Sequence, residues 1–304
     1  MLERRSFLAG TAAGLTAVAI GGPGRAGAGK KPALLRRAIP SSGEKIPALG
    51  LGTWQTFDVT GDRIAAVQPA LDRFLELGGR LVDSSPMYGN AESAVGAMLK
   101  RRGDGAVRPF LATKVWTSGA AEGAEQMKRS AARFGVKTID LMQVHNLLDW
   151  KTHLPRMREW KRAGTFRYIG VTHYQHSAFA ELEQIIRREK IDSVQLPYSA
   201  IDREAEKRLL PAAADAGVAV LVLSPFESGA LFRRVKGVAL PAYAADIDCT
   251  SWAQIFLKFL LGHPAVTCPL PASDKASHVE DNLGALRGRL PDEKLRDRIA
   301  RELS

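Results

Sequence analysis

VAVLVL, residues 218–223, is a run of six apolar residues that directly follows a glycine. A strand with one face in water alternates apolar and polar residues, whereas a parallel strand covered on both faces does not. The run therefore predicts a buried strand of a parallel sheet. Segments with the periodicity of helices lie on both sides of it, over residues 204–216 and 251–261.

The same alternation of apolar runs with helix-period segments extends along most of the chain. Eight strand-like runs cover residues 49–53, 80–82, 110–114, 139–144, 168–171, 193–196, 218–223 and 265–270. Eight strand–helix units within about 250 residues match the size of a (β/α)8 barrel. We therefore predict an α/β fold, a (β/α)8 TIM barrel. An open doubly wound sheet would need a glycine-rich phosphate-binding turn after its first strand, and the sequence has none there.

The distribution of charge and the two cysteines limit which functions the sequence suggests. The 304 residues carry a formal net charge of +11, but the basic residues are scattered doublets with acidic residues between them. This pattern argues against a nucleic-acid-binding surface, although the positive charge favours anionic ligands. Cys249 and Cys268 show no CxxC spacing. They are interpreted either as two small buried apolar side chains or as one disulfide bridge.

The N-terminal segment differs from the rest of the chain. ERRSFL, residues 3–8, precedes an uncharged run over residues 9–24, and AGA at 26–28 has the pattern of a cleavage site. We predict a twin-arginine signal peptide over residues 1–28, with a general secretory signal or an uncleaved anchor as the alternatives. Residues 29–45 are then a linker or N-terminal extension. Residues 46–304 are the barrel with its C-terminal helices.

These predictions imply a location and a set of partners. A cleaved twin-arginine signal predicts a periplasmic protein that meets the twin-arginine translocase during export and has no stable membrane span afterwards. The sequence has no heptad pattern, so a monomer is expected. The glycines at 22, 24 and 27 satisfy GxGxxG, but they lack a preceding strand and a following helix, so they do not predict a dinucleotide site.

Polar residues concentrate where the predicted strands end. In a barrel of this kind, catalytic side chains lie at the C-terminal ends of the strands. The residues at or just after those ends are Thr53, Trp54, Asp83, Tyr88, Lys114, Trp116, His145, Asn146, Thr172, His173, Gln195, Ser224 and Ser273. Carboxylate, phenol, ammonium and imidazole groups are therefore expected to meet at one mouth of the barrel.

Six segments in unbroken order together resemble one enzyme family. They are GLGTWQ (50–55), VDSSPMYGNAES (82–93), LATKVW (111–116), IDLMQVHN (139–146), IGVTH (169–173) and LPASDKASHVEDN (270–282). Over about residues 40–290 the chain resembles the aldo-keto reductases. The resemblance implies reduction of an aldehyde or ketone with NADPH. It also implies a catalytic tetrad of Asp83, Tyr88, Lys114 and His145.

Elementary chemistry gives each member of this tetrad a task. A carbonyl group that accepts a hydride becomes an alkoxide and needs a proton, which Tyr88 would donate. A phenol has a pKa of about 10, and the ammonium of Lys114 is expected to lower it. The carboxylate of Asp83 would keep Lys114 charged. His145 would donate a hydrogen bond to the substrate oxygen.

The resemblance also implies a site for the nucleotide. Thr172, His173 and Gln195 would hold the nicotinamide carboxamide, and Ser224, Phe226 and Ser228 would lie along the pyrophosphate. The adenosine end would be surrounded by Ser273, Lys275, His278, Asp281 and Asn282. The sequence departs from the family where Thr172-His173 replaces Ser-Asn, where Leu223 replaces a stacking aromatic residue and where His278 replaces an arginine. NADPH is expected to be preferred over NADH, with Lys275 as a point charge for the phosphate.

The sequence also suggests a class of substrate and two alternative functions. Trp54 and Trp116 would form aromatic walls suited to small aldehydes or ketones, and the irregular segment 227–251 would contribute to specificity. No carboxylate or thiol accompanies His173 and His176 at a metal-binding spacing, so no metal is expected. An alternative function is a nucleotide-retaining, redox-sensing or partner-binding subunit with vestigial catalysis. A third is a metal-free isomerase or lyase.

Overall fold

All eight apolar runs form strands of one parallel sheet. The computed structural model describes residues 33–103 and 105–304, so the predicted signal peptide lies outside the described residues. In chain order, the strands of this sheet are β3 (Leu51–Gly52), β4 (Leu81–Asp83), β5 (Phe110–Val115), β6 (Ile139–His145), β7 (Phe166–Thr172), β8 (Ser193–Pro197), β9 (Ala219–Leu223) and β10 (Val266–Pro269). Every neighbouring pair from β3 to β10 is parallel and consecutive.

The sheet closes where its first strand meets its last. The backbone N–H of Gly50 donates to the carbonyl of Pro269 at 2.9 Å, and that of Gly52 donates to Pro271 at 2.9 Å. The seam is close at Gly50, where a Cβ would lie 2.5 Å from a methyl carbon of Leu270 and would displace that side chain. The eight parallel strands therefore form the predicted (β/α)8 barrel, and the fold class is confirmed.

Helices connect the strands and cover the outside of the sheet. Their apolar residues recur at helical spacing, as in Leu182, Ile185 and Ile186, which are buried against the barrel. The helices are α1 (Arg63–Glu76), α2 (Ala91–Arg102), α3 (Ala120–Phe134), α4 (Trp150–Arg162), α5 (Phe179–Arg188), α6 (Glu204–Lys207), α7 (Leu209–Ala216), α8 (Ala230–Arg234), α9 (Tyr243–Asp246), α10 (Trp252–Leu261), α11 (Ala276–Gly284) and α12 (Glu293–Leu303). Short 3₁₀ turns occupy His176–Ala178 and Glu227–Gly229.

One predicted helix is divided in two. The segment 204–216 was expected to be continuous, but Arg208 leaves the helical conformation with φ −140° and ψ −45°. Pro211 has no backbone N–H, so the hydrogen bond that would span this position, to the carbonyl of Lys207, cannot form. The helix therefore ends at Lys207 and restarts at Leu209.

A hairpin closes the N-terminal end of the barrel. Its strands are β1 (Arg36–Ala38) and β2 (Lys45–Pro47), which pair antiparallel. Ile39 and Ile46 pack in one apolar cluster with side chains from the beginnings of the barrel strands, including Leu81. Much of the segment 29–45, predicted as a linker or N-terminal extension, is thus part of the folded unit, which spans Ala33–Ser304. Because this end is plugged, the opposite end is the one available for a ligand.

The two cysteines are buried and unbonded. Cys249 and Cys268 are both free thiols, which matches their interpretation as small apolar side chains and not as a bridge. Burial raises the pKa of the Cys249 thiol to about 11. Across residues 33–103 and 105–304, no helix combines the length and the apolar character needed to cross a bilayer.

Candidate active site

A cleft opens at the C-terminal end of the barrel. It has a volume of about 880 Å³, within the usual range for small-molecule sites. Its floor and walls come from the strand ends and the loops that follow them. Among its lining residues are Gly52, Thr53, Trp54, Asp83, Met87, Tyr88, Lys114, Trp116, His145, Asn146, Thr172, Tyr174, Gln195, Leu223, Ser224, Phe226, Ser228, Phe232 and Leu270.

A buried ion pair lies at the floor of the cleft. Asp83 is the last residue of β4, and Lys114 extends from the neighbouring β5, so the two side chains meet across adjacent strands. The Lys114 Nζ lies 2.7 Å from Asp83 Oδ2 and also donates to the carbonyl of Ser84 at 2.7 Å. Burial lowers the pKa of Lys114, but the pairing with Asp83 and the nearby Tyr88 outweigh it and leave that pKa raised. Lys114 is therefore an ammonium group at neutral pH.

Two amides hold the carboxylate of this pair. Gln143 Nε2 donates to Asp83 Oδ1 at 3.3 Å, and Gln195 Nε2 donates to Oδ2 at 3.4 Å. Gln143 is fully buried, and its role was not predicted from the sequence. A signal was present, because Gln143 lies two residues before His145 on β6, and such residues share one face of a strand.

Tyr88 lies above Lys114. The Lys114 Nζ is 5.0 Å from the centre of the Tyr88 ring, and its positive charge favours the phenolate. Burial nevertheless raises the pKa of Tyr88 by more than Lys114 lowers it, and Asp83 adds to the rise. The sequence-based expectation of a lowered pKa is therefore wrong in its net direction, although Lys114 acts with the expected sign. At neutral pH the phenol keeps its proton.

His145 completes the group. Its ring packs edge-on against Tyr88, with 5.8 Å between the ring centres. Burial, assisted by the positive charge of Lys114 and by His173, lowers the pKa of His145 to about 2. The imidazole is therefore neutral and carries one N–H. Its Nδ1 lies 2.9 Å from the hydroxyl of Ser85, a residue that was not predicted to belong to the site.

Aromatic side chains form the walls of the cleft. Trp54 is 48% exposed and Trp116 is 41% exposed, and both line the cleft. The segment 227–251, expected to contribute to specificity, supplies Phe232 from α8 to the same wall. Met87 and Tyr174 were not predicted as wall residues, because their exposure depends on loops whose path the sequence does not specify.

Part of the predicted nucleotide site lies in the cleft. Thr172, Gln195, Ser224, Phe226 and Ser228 all line it. The Oε1 of Gln195 is buried and has no hydrogen-bond partner among the described residues. A buried acceptor without a partner fits the amide donor of a nicotinamide carboxamide.

The remaining predicted nucleotide residues do not line the cleft. The His173 ring stacks on Tyr174, with 5.5 Å between the ring centres, and its Nδ1 accepts the backbone N–H of Gln175. The other five lie on the loop after β10 or in α11, and they are Ser273, Lys275, His278, Asp281 and Asn282.

Within that group, the side chains have different surroundings. Lys275 and His278 are exposed to solvent, whereas Asn282 is buried. Ser273 Oγ accepts the backbone N–H of Lys275 at 3.2 Å. Asp281 Oδ1 accepts a hydrogen bond from Gln254 Nε2 at 2.7 Å, which ties α11 to α10.

Known proteins share this architecture. Residues 48–298 match the sequence model of the Aldo/keto reductase family. The chain is 29% identical over 254 residues to an uncharacterized oxidoreductase of Schizosaccharomyces pombe, covering 78% of each chain. A second uncharacterized oxidoreductase, from Bacillus subtilis, is 27% identical over 301 residues, covering 84% of this chain and 92% of that one.

A solved structure gives the same result for the fold. The aldo/keto reductase from Klebsiella pneumoniae, crystallised with NADP and acetate, superposes with a TM-score of 0.74 at 23% identity, covering 89% of this chain and 96% of that one. The family match includes every strand of the barrel, from β3 to β10. The chain therefore belongs to the aldo/keto reductase family.

Proposed function

We propose that this protein is an NAD(P)H-dependent oxidoreductase that reduces an aldehyde or ketone to an alcohol, with Tyr88 as the proton donor. The observation that carries the proposal is the buried Asp83–Lys114 pair beneath a protonated phenol, beside a neutral imidazole, at the floor of an open cleft. Membership of the aldo/keto reductase family supports the same reaction class.

The four side chains divide the work of the reaction. The substrate oxygen accepts hydrogen bonds from the Tyr88 hydroxyl and from the N–H of His145, which orient and polarise the carbonyl. A nicotinamide cofactor supplies the hydride when it is bound. As negative charge develops on the substrate oxygen, Tyr88 transfers its proton to it. The ammonium of Lys114 stabilises the phenolate that remains, and Asp83 keeps that ammonium charged.

The chain offers groups for each part of the nucleotide. Gln195 Oε1, the buried acceptor without a partner, would take the carboxamide N–H. Ser224 and Ser228 would face the pyrophosphate, and the exposed side chains of Lys275 and His278 would face the adenosine end. We propose NADP as the cofactor because an exposed ammonium favours a phosphate. We expect Lys275→Ala to weaken NADPH binding and to leave NADH binding almost unchanged.

The cleft favours a neutral substrate. Among the described residues that line it, Asp83 and Lys114 are the charged side chains, and they are paired with each other. Among the described residues that line the cleft, no unpaired cation is therefore present to bind a substrate carboxylate or phosphate. The aromatic walls suit a small apolar or aromatic carbonyl compound.

Turnover with a panel of aldehydes and ketones, followed by NADPH consumption, tests the proposal. Tyr88→Phe removes the proton donor and should lower kcat by at least about 100-fold. Tyr243→Phe is the matched control, because its hydroxyl donates to Glu302, away from the cleft, and it should keep full activity. Equal activity of Tyr88→Phe and the parent would refute the proposal. Tight nucleotide retention without turnover would instead support a redox-sensing or partner-binding subunit.

We further propose that the twin-arginine segment exports the protein to the periplasm as a monomer. The support is the sequence alone, with Arg4-Arg5 preceding the uncharged run and a small-residue cleavage pattern after it. Replacing both arginines by lysine should retain the precursor in the cytoplasm, as measured by fractionation. An unchanged periplasmic fraction would contradict the proposed route.

A further inference from the structure

Ser85 lies in the loop after β4, between Asp83 and Tyr88, and is fully buried. Its hydroxyl makes two hydrogen bonds. The backbone N–H of Met87 donates to Ser85 Oγ at 3.3 Å, and Ser85 Oγ lies 2.9 Å from Nδ1 of His145. The proposed reaction assigns no task to this serine.

The direction of the second bond follows from counting hydrogens. A backbone N–H can only donate, so Met87 occupies a lone pair of Ser85 Oγ. The hydroxyl hydrogen of Ser85 then needs an acceptor of its own. Within residues 33–103 and 105–304, Nδ1 of His145 is the acceptor that this hydroxyl reaches.

The opposite arrangement would leave a group unsatisfied. If Nδ1 of His145 carried the ring hydrogen, it would donate to Ser85, and the buried Ser85 O–H would have no acceptor among the described residues. Burying an unpaired donor is unfavourable. The tautomer with an unprotonated Nδ1 is therefore the stable one.

This tautomer determines which nitrogen of His145 can donate a hydrogen bond into the cleft. Ser85 is inaccessible to solvent, whereas His145 lines the cleft, so Nδ1 is on the buried side of the ring and Nε2 is the nitrogen left for the cleft. We propose that Ser85 is a positioning residue that holds His145 with its hydrogen on Nε2, ready to donate to the substrate oxygen beside the Tyr88 hydroxyl. The kinetic part of this role rests on the proposed carbonyl reduction.

Nitrogen NMR of the full chain with ¹⁵N-labelled histidine reads the tautomer directly. The spectrum of His145→Gln identifies the His145 resonances by their loss. We expect an unprotonated Nδ1 and a protonated Nε2 in the parent, with the Nδ1 resonance shifted upfield by the hydrogen bond from Ser85, and we expect this shift to be lost in Ser85→Ala. A protonated Nδ1 in the parent, or an identical Nδ1 resonance in the parent and Ser85→Ala, would overturn the proposal.

Kinetics provide the second readout. Loss of one hydrogen bond that orients a catalytic group should lower kcat about tenfold in Ser85→Ala, with a smaller change in KM. Ser85→Thr retains the hydroxyl and should recover most of the kcat. Ser130→Ala is the matched control, because Ser130 is buried and its hydroxyl has no partner in the described part of the chain. It should change neither kcat nor the His145 resonances.

The two readouts separate the two proposals. If the parent shows no turnover with any carbonyl compound, the proposed function fails, but the NMR measurement still decides the role of Ser85 in fixing the tautomer. If turnover is present and Ser85→Ala changes neither kcat nor the Nδ1 resonance of His145, the proposed function stands and the role of Ser85 is refuted.

Discussion

The barrel contains two Asp–Lys pairs with the same separation and different surroundings. Lys114 Nζ lies 2.7 Å from Asp83 at the C-terminal end, and Lys161 Nζ lies 2.7 Å from Asp192, just before β8 at the N-terminal end. Both aspartates are about 4% exposed. The lysine side chains differ, at 1% exposed for Lys114 and 37% for Lys161. Distance therefore does not distinguish a reactive pair from a structural one.

The surroundings of each ammonium distinguish the pairs. Water screens the charge of Lys161, and Asp192 also accepts the backbone N–H of Ile169 at 2.9 Å, so this pair ties α4 and β7 to the start of β8. Lys114 is shielded from water, so its charge acts strongly on Tyr88 above it. A buried cation beside an acid that faces a cleft is the arrangement expected of a catalytic site.

Lys114→Met should have the largest effect. It removes the cation that stabilises the Tyr88 phenolate, so kcat should fall by at least about 100-fold. It also leaves Asp83 buried without its partner, which should lower the free energy of unfolding by about 3–5 kcal/mol. Steady-state kinetics and denaturant unfolding measure the two effects. A folded, active Lys114→Met variant would show that the two lysines are equivalent.

Low pH should reduce the free energy of unfolding because His145, at the C-terminal end of the barrel, is buried in its neutral form. The folded-state pKa of about 2 lies below the usual value of about 6.5, so the unfolded chain binds a proton first as the pH falls. The free energy of unfolding should therefore fall below pH 6.5, by as much as roughly 3 kcal/mol at pH 4 from this residue. His145→Gln should show a shallower decline in unfolding experiments across this range. The remaining slope would include His263, whose pKa burial lowers to about 4.

Asp192→Asn should affect stability and not turnover. The amide keeps the size of the side chain but loses its charge toward Lys161 and weakens its bond to the Ile169 N–H. We expect the free energy of unfolding to fall by about 1–3 kcal/mol. The kcat should match that of the parent. A large loss of kcat in a fully folded variant would contradict the structural role of this pair.

Lys161→Met should have the smallest effect and is matched to Lys114→Met by the identical chemical change. Lys161 is partly exposed, so water can take its place beside Asp192, which also keeps the hydrogen bond from the Ile169 N–H; its loss should therefore cost about 1 kcal/mol of stability. Activity should be unchanged. The comparison fails if this variant is as inactive, or as unstable, as Lys114→Met.

The barrel could be predicted from the sequence because its strands are continuous apolar runs. The hairpin over residues 36–47 could not, because it contributes only two apolar residues, Ile39 and Ile46, to a cluster made by distant strands. The break at Arg208 was missed because the apolar spacing continues through it. The spacing of apolar residues predicts a helix whether or not each backbone N–H is present, so it does not reveal the missing donor of Pro211.

The candidate site, too, could be predicted only in part from the sequence. Asp83, Lys114 and His145 occur at strand ends and Tyr88 in the loop after β4, and these positions could be predicted from the sequence. The contact of Ser85 with His145 forms between the ends of β4 and β6, 60 residues apart in the chain, so no local sequence pattern predicts it. The pKa of Tyr88 is raised mainly because its hydroxyl is buried, and the burial of a side chain cannot be predicted from the spacing of residues in the sequence.

The seam between Gly50–Gly52 and Pro269–Pro271 has a consequence for biosynthesis. The ribosome makes β3 and its neighbour β4 early, but the strand on the other side of β3, β10, exists only after almost the whole chain has been made. During that interval β3 presents a bare edge, which invites pairing with another nascent chain. Leu270, Pro271 and Ala272 also line the cleft, so the cleft is complete only after the last strand has docked.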